Sequence, residues 1–140
     1  MSAYLDVSVI VALFAVDPLS DRADKALRGL NDTLVVSDLA AAEFSAVMAR
    51  RVRTRDLRAS EARIAFANFD LWCGSQTRLV EIEGGDAARA TNFIRRLDVP
   101  LRTPDALHIA IAQRSGCALL TFDRPMAHAA RAIGIEIVKG

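Results

Sequence analysis

Cysteine is scarce in this chain. Cys73 and Cys117 are the only two, with no paired spacing and no histidine pattern beside them. That argues against a zinc site or a disulfide framework. Both are expected as reduced, buried thiols, which suits a cytoplasmic protein. Histidine is equally rare, with only His108 and His128, and no nucleophile–histidine–acid triad is legible. A membrane span is missing too. The apolar run Val7 to Val16 is bounded by Asp6 and Asp17, and it falls short of the roughly 20 residues that cross a bilayer. It also lacks the basic flank of a secretory leader. Charge of one sign is not in excess: Lys+Arg is 18 against Asp+Glu 17, a formal net charge of +1. Global charge therefore names no anionic partner. Lysine is nearly absent, since Lys25 and Lys139 are the only ones. Arginine supplies the other cations and suits bidentate phosphate contacts. A base-composition bias that also raises alanine is an equal explanation.

What is present is enough for one ordinary domain. The 140 residues are 52% hydrophobic, which allows a substantial core and argues against disorder. Short apolar runs alternate with longer helical patterns. The expected strands are Ala3 to Asp6, Thr33 to Ser37, Arg78 to Ile82, Ala118 to Phe122 and Ile135 to Val138. They are continuously apolar, as strands covered on both faces are. The helical stretches are Ser8 to Ala15, Arg22 to Leu30, Leu39 to Val52, Ser60 to Cys73, Ala87 to Leu97, Pro104 to Ser115 and Pro125 to Ile133. This alternation predicts an α/β fold, with a parallel five-stranded sheet flanked by helices. Asp86 after Gly84-Gly85, and Thr103 before Pro104, are expected helix N-caps. Gly116 and Gly134 are expected at helix C-termini.

Four acids recur in comparable settings: Asp6, Glu43, Asp105 and Asp123. Asp6 and Asp123 close the first and fourth strands, and ligands of open parallel sheets bind beyond the strands' carboxyl ends. Glu43 lies about one turn into the helix opened by Ser37-Asp38, beside the apolar stripe Phe44, Val47, Met48 and Val52. Asp105 falls in a helix's first turn, where negative charge is favoured by roughly 0.3–1 kcal/mol. Each acid alone has an ordinary structural role as a cap, a turn or a solvated residue. Their joint placement at one sheet edge points instead to an acidic pocket. Crowded carboxylates repel, and a divalent cation relieves that. Oxygen-only ligands suit Mg²⁺, with Mn²⁺ as a substitute. Such an ion can activate a water for phosphodiester hydrolysis without a protein nucleophile.

The chain resembles the PIN-domain ribonucleases, and specifically the VapC toxins of type II toxin–antitoxin systems. The segments that carry the likeness are Tyr4-Leu5-Asp6-Val7-Ser8 and Ser37-Asp38-Leu39-Ala40-Ala41-Ala42-Glu43. Thr103-Pro104-Asp105-Ala106-Leu107-His108-Ile109-Ala110 and Leu119-Leu120-Thr121-Phe122-Asp123 complete the set. They stand in family order over essentially the whole chain, so the resemblance implies a single PIN domain across residues 1–140. It implies an endoribonuclease with Asp6, Glu43, Asp105 and Asp123 as catalytic residues and Asp6, Asp105 and Asp123 on Mg²⁺. It implies that Ser8 and Thr121 support these acids by hydrogen bonding. It also implies a cognate antitoxin and a homodimer. The chain departs from many relatives after Asp123, where Arg124-Pro125-Met126 replaces a further acid. A second metal is then expected only with substrate phosphate present.

Arg50, Arg51 and Arg53 lead away from the acidic pocket, with Arg55 and Arg58 beyond them. They are the expected RNA contacts, although a helix-end arginine cluster serving the helix dipole explains them as well. Arg95, Arg96 and Arg102 are weaker candidates. His108, three residues after Asp105, is expected as a rim or partly packed histidine. Ile64, Phe66, Phe69, Leu71 and Trp72 give one helix more apolar surface than a single face needs, which suits an antitoxin groove. Alternatives remain open. One is a PIN-like interaction module without catalysis. Another is a phospho-acceptor receiver domain, disfavoured because the adjacent acidic pair is missing and Lys139 stands next to last. A haloacid-dehalogenase-type phosphatase is disfavoured because Ser8 stands where a second aspartate is needed.

Overall fold

The computed structural model describes residues 1–139. Four strands, β1 (Ser2–Leu5), β2 (Thr33–Ser37), β3 (Arg78–Val80) and β4 (Ala118–Leu120), form one parallel sheet in the order β3-β2-β1-β4. Successive side chains on a strand point to opposite faces. The register Tyr4↔Val35 and Tyr4↔Leu119 therefore puts these three residues on one face and Leu5, Val36 and Leu120 on the other. All six are buried. This is why the strands read as unbroken apolar runs.

The helices are α1 (Val7–Phe14), α2 (Ser20–Arg28), α3 (Asp38–Arg53), α4 (Ala59–Gln76), α5 (Gly84–Arg95), α6 (Thr103–Arg114) and α7 (Arg124–Ile133). On one face, Leu5, Val36 and Leu120 pack with Val9 and Ile10 of α1, Phe44 and Met48 of α3, and Phe69 and Cys73 of α4. On the other, Tyr4, Val35 and Leu119 pack with Ile109 and Ile111 of α6 and Met126 and Ala129 of α7. The expected α/β layering and parallel sheet are present.

Several expectations are corrected. The sheet has four strands among the described residues, not five. Ile135 to Val138 pairs with β4 through a single bridge, Leu119↔Ile137, made by Leu119 N–H to Glu136 O and Val138 N–H to Leu119 O, both 2.9 Å. β4 is only three residues long. Backbone groups alternate in direction along a strand, so Leu119 alone turns its pair outward, and Cys117 and Thr121 lie outside β4. α5 starts at Gly84 with Glu83 as its N-cap. Asp86 instead sits in that helix's first turn and is fully buried. Arg114 of α6 holds it with Nε to Oδ1 at 2.8 Å and Nη2 to Oδ2 at 2.9 Å. The N-cap of α6 is Arg102, so Thr103 is already helical. Gly134 does end α7, at φ +98°, in the left-handed region that glycine tolerates. The apolar excess of α4 is mostly core: Phe69 is 4% exposed and packs on Phe14 and Phe44, whereas Ile64 and Leu71 are the large residues left in solvent.

Candidate active site

The strand order places the reversal between β1 and β4. β1 connects to β2 on one side, while β4 joins from the other. Four helices begin at the sheet's carboxyl edge: α1 after β1, α3 after β2, α5 after β3 and α7 after β4. α6 runs towards β4 from the opposite end, so its first turn returns to the same edge.

Asp6 is the N-cap residue of α1, yet its side chain makes no capping bond. The carboxylate points across to β4 instead. Ser8 Oγ donates to Oδ1 at 2.6 Å and Thr121 Oγ1 donates to Oδ2 at 2.7 Å. The same hydroxyls accept from the backbone beyond β4, Ser8 Oγ from Phe122 N–H and Thr121 Oγ1 from Asp123 N–H, both at 3.0 Å. Two short side chains thus fasten the end of β1 to the turn after β4. Asp6 is 3% exposed. Burial pushes its carboxyl above the usual carboxylate range, while the two hydroxyls pull the other way. A buried carboxylate of this kind needs a proton or a cation. Among the described residues, no Lys or Arg pairs with it.

Asp123 caps α7 by accepting from Met126 N–H at 3.2 Å. Asp105 stands in the first turn of α6 with Arg102 Nε at 3.4 Å. Glu43, in the second turn of α3, is hydrogen bonded through Oε1 to His108 Nε2. His108 is 1% exposed, so it is no rim residue. Its Nδ1 meets Tyr4 Oη at 2.6 Å, Tyr4 Oη meets Ser37 Oγ at 2.6 Å, and Ser37 Oγ accepts from Ala40 N–H at 3.0 Å. One donor order satisfies every atom. Ala40 donates to Ser37, Ser37 to Tyr4, Tyr4 to His108 Nδ1, and His108 Nε2–H to Glu43. Burial drives the Tyr4 phenol far upward, so its proton stays in this chain. Tyr4 and Ser37 join the site here without having been expected there. The available signal was a hydroxyl inside an otherwise apolar strand, which must find a partner.

The sequence-predicted residues are brought together in two groups. Hydrogen bonds join Asp6, Ser8, Thr121 and the Asp123 backbone, and others join Glu43 to His108 on the helix that carries Asp105. Among the described residues, no three acidic, histidine or cysteine groups lie close enough to cage a metal. The donors are carboxylates, and Mg²⁺ characteristically keeps several waters and takes one or two carboxylates. The residues therefore fit a hydrated ion at Asp6 and do not fit a caged one. Of the expected RNA contacts, Arg50 and Arg53 are exposed. Arg51 is instead engaged with Asp17, Nη2 to Oδ2 at 3.4 Å.

A profile of the PIN domain matches residues 3–132. The chain is 34% identical over 138 residues to Ribonuclease VapC46 of Mycobacterium tuberculosis, covering 96% of this chain and 95% of that protein. Among solved structures it is similar to M. tuberculosis VapC20, described as a Sarcin-Ricin loop cleaving toxin. That likeness has a TM-score of 0.77 at 18% identity, covering 99% of both chains. VapBC2 from Rickettsia felis, bound to a DNA fragment from its promoter, aligns with a TM-score of 0.70 at 15% identity over 99% of this chain and 98% of that one. The two structural likenesses show a shared fold.

Proposed function

The chain belongs to the PIN-domain family, and on that premise we propose that it is a VapC-type toxin, a Mg²⁺-dependent endoribonuclease. The observation that carries the reading is the buried Asp6 carboxylate, fastened by Ser8 and Thr121 at the sheet's switch point. Nothing in an apolar core calls for that carboxylate, whereas a cation site does.

Asp6 would hold a hydrated Mg²⁺, with Asp105 and Asp123 acting on the ion's waters rather than closing a three-carboxylate cage. The ion would lower the pKa of the attacking water and offset charge on the phosphate. Mn²⁺ would serve in its place. The chain's own residues do the positioning. Ser8 and Thr121 fix the plane of the Asp6 carboxylate, since each oxygen has one hydroxyl bound. His108 fixes Glu43 through Oε1 and leaves Oε2 to take a proton from the attacking water. Arg50 and Arg53 lie about 10–15 Å further along α3 at 1.5 Å per residue, and they offer the RNA backbone a track.

An antitoxin is the proposed protein partner. Ile64 and Leu71, seven residues apart on one side of α4 and 62% and 74% exposed, supply apolar surface for it. A homodimer is the proposed assembly, to be read from its mass in solution.

The test is cleavage of total RNA by the purified chain. Cleavage is expected with Mg²⁺ or Mn²⁺ and should stop in EDTA. Activity retained in EDTA would contradict metal-assisted hydrolysis. RNA left intact with either metal would return the chain to a PIN-like interaction module.

A further inference from the structure

Beside the acidic edge lies a cavity of opposite character. It is lined by Arg22, Phe122, Asp123, Arg124, Arg131 and Lys139, with Thr121 at its border, and encloses about 430 Å³. Arg124, Ala127 and Arg131 line it from α7 at spacings of three and four, which is one helix face. The Arg22 guanidinium lies over the Phe122 ring at 4.5 Å from its centroid. A neighbouring cavity shares Arg22 and Lys139 and adds Lys25. Both lysines of the chain thus stand here. The first cavity gathers four cations against one acid, while the whole chain carries +1.

Among the described residues, Arg124, Arg131 and Lys139 enter no ion pair. Arg51, Arg58, Arg96, Arg102 and Arg114 all do. Cations held round one hollow repel each other, and an anion placed among them removes that repulsion. Arginine forks match phosphate oxygens in pairs. The cavity also shares Thr121 and Asp123 with the proposed cleavage site, so an anion seated in it belongs to the same bound molecule as the reacting group.

We propose that this cavity is a phosphate subsite that grips the RNA backbone next to the scissile bond, with Arg124 and Arg131 as its principal contacts. The proposal rests on the ribonuclease reading and adds to the route of the substrate: along α7 from Arg124 to Arg131, in addition to the α3 arginines. Asp123, one of the strand-end acids, also lines the basic hollow. Arg124, which directly follows Asp123, then serves the substrate.

The experiment is equilibrium binding of a fluorescent single-stranded RNA oligonucleotide to the full chain in EDTA, which isolates binding from cleavage. Fluorescence anisotropy is followed across a range of KCl. Each phosphate contact contributes about 0.7 to the slope of log affinity on log salt for single strands. R124A/R131A is therefore expected to lower the slope by about 1.4 and to weaken binding at least tenfold at low salt. R131K should recover the slope, because charge sets it, but not all of the affinity. Both arginines are exposed, so the variants should keep the parental circular dichroism. If R124A/R131A binds with the parental slope while R50A/R53A loses it, the subsite is wrong and the ribonuclease reading stands. If the parent binds no RNA at low salt, both fail. Displacement of the oligonucleotide by millimolar inorganic phosphate at constant ionic strength would mark a free-phosphate site and overturn the backbone assignment.

Discussion

Tyr4 brings a hydroxyl into the fully buried centre of β1, and Ser37 and His108 satisfy it. Tyr4→Phe leaves the ring's packing but strands Ser37 Oγ and His108 Nδ1 without their partner. Leaving buried polar groups unpaired costs about 1–3 kcal/mol. Urea unfolding should show a loss of that size, and cleavage should fall with it as His108 loosens its hold on Glu43. Parental stability in Tyr4→Phe would remove the relay from any structural role. Each acid alone reads as a cap, a turn or a solvated residue, and only their recurrence at strand ends and early helix turns marks the set in the sequence. His108 carries no such mark. A histidine three residues after an acid reads as a rim residue, and only the crossing of α6 behind β1 buries it.

Asp86 and Arg114 tie α5 to α6, and the two ends of this pair are unequal. Asp86 is fully buried, whereas the Arg114 side chain retains 21% exposure. Asp86→Ala frees a guanidinium that can turn to water. Arg114→Met leaves a carboxylate that cannot, so it should cost more, about 3 kcal/mol. Equal losses from the two variants would contradict this. Burial opposes ionisation of Asp86, but the Arg114 and Glu83 contacts outweigh it and hold its pKa below 3.8. A depressed folded value means the contribution is present above pH 3.8 and is lost as pH falls through the folded pKa. Melting temperature should drop below about pH 4 in the parent, and the Asp86 part of that drop should vanish in Asp86→Ala. Helix positions were legible to within a few residues because apolar periodicity marks them. The caps were less so. Gly84-Gly85 reads as a break, yet Asp86 Oδ2 accepts from Glu83 N–H at 2.8 Å while Asp86 N–H donates to the Glu83 carbonyl at 3.0 Å, and both glycines are drawn into α5. The fifth strand failed for a different reason: an apolar run announces burial, but the number of residues available on β4 decides pairing.

For the molecule as a whole, order in the sheet matters more than any one acid. Only because β4 lies beside β1 do Ser8 and Thr121 reach the same carboxylate, from positions 113 residues apart in sequence. The sequence announces strand-end acids but not which strands adjoin, so joint placement was an expectation that the β3-β2-β1-β4 order had to supply. If that junction holds Mg²⁺, the ion should stabilise the folded chain. At ten times its dissociation constant the gain is about 1.4 kcal/mol, or roughly 3–5 °C for a domain of this size. The shift should be absent in Asp6→Asn. The same variant gives the most direct test of the proposed chemistry. Asp6→Asn keeps the side chain's shape and removes its charge. With circular dichroism unchanged, RNA cleavage in Mg²⁺ should fall by about 100-fold or more, and expression should no longer arrest growth. A folded Asp6→Asn protein that cleaves RNA at the parental rate would contradict the metal-site assignment.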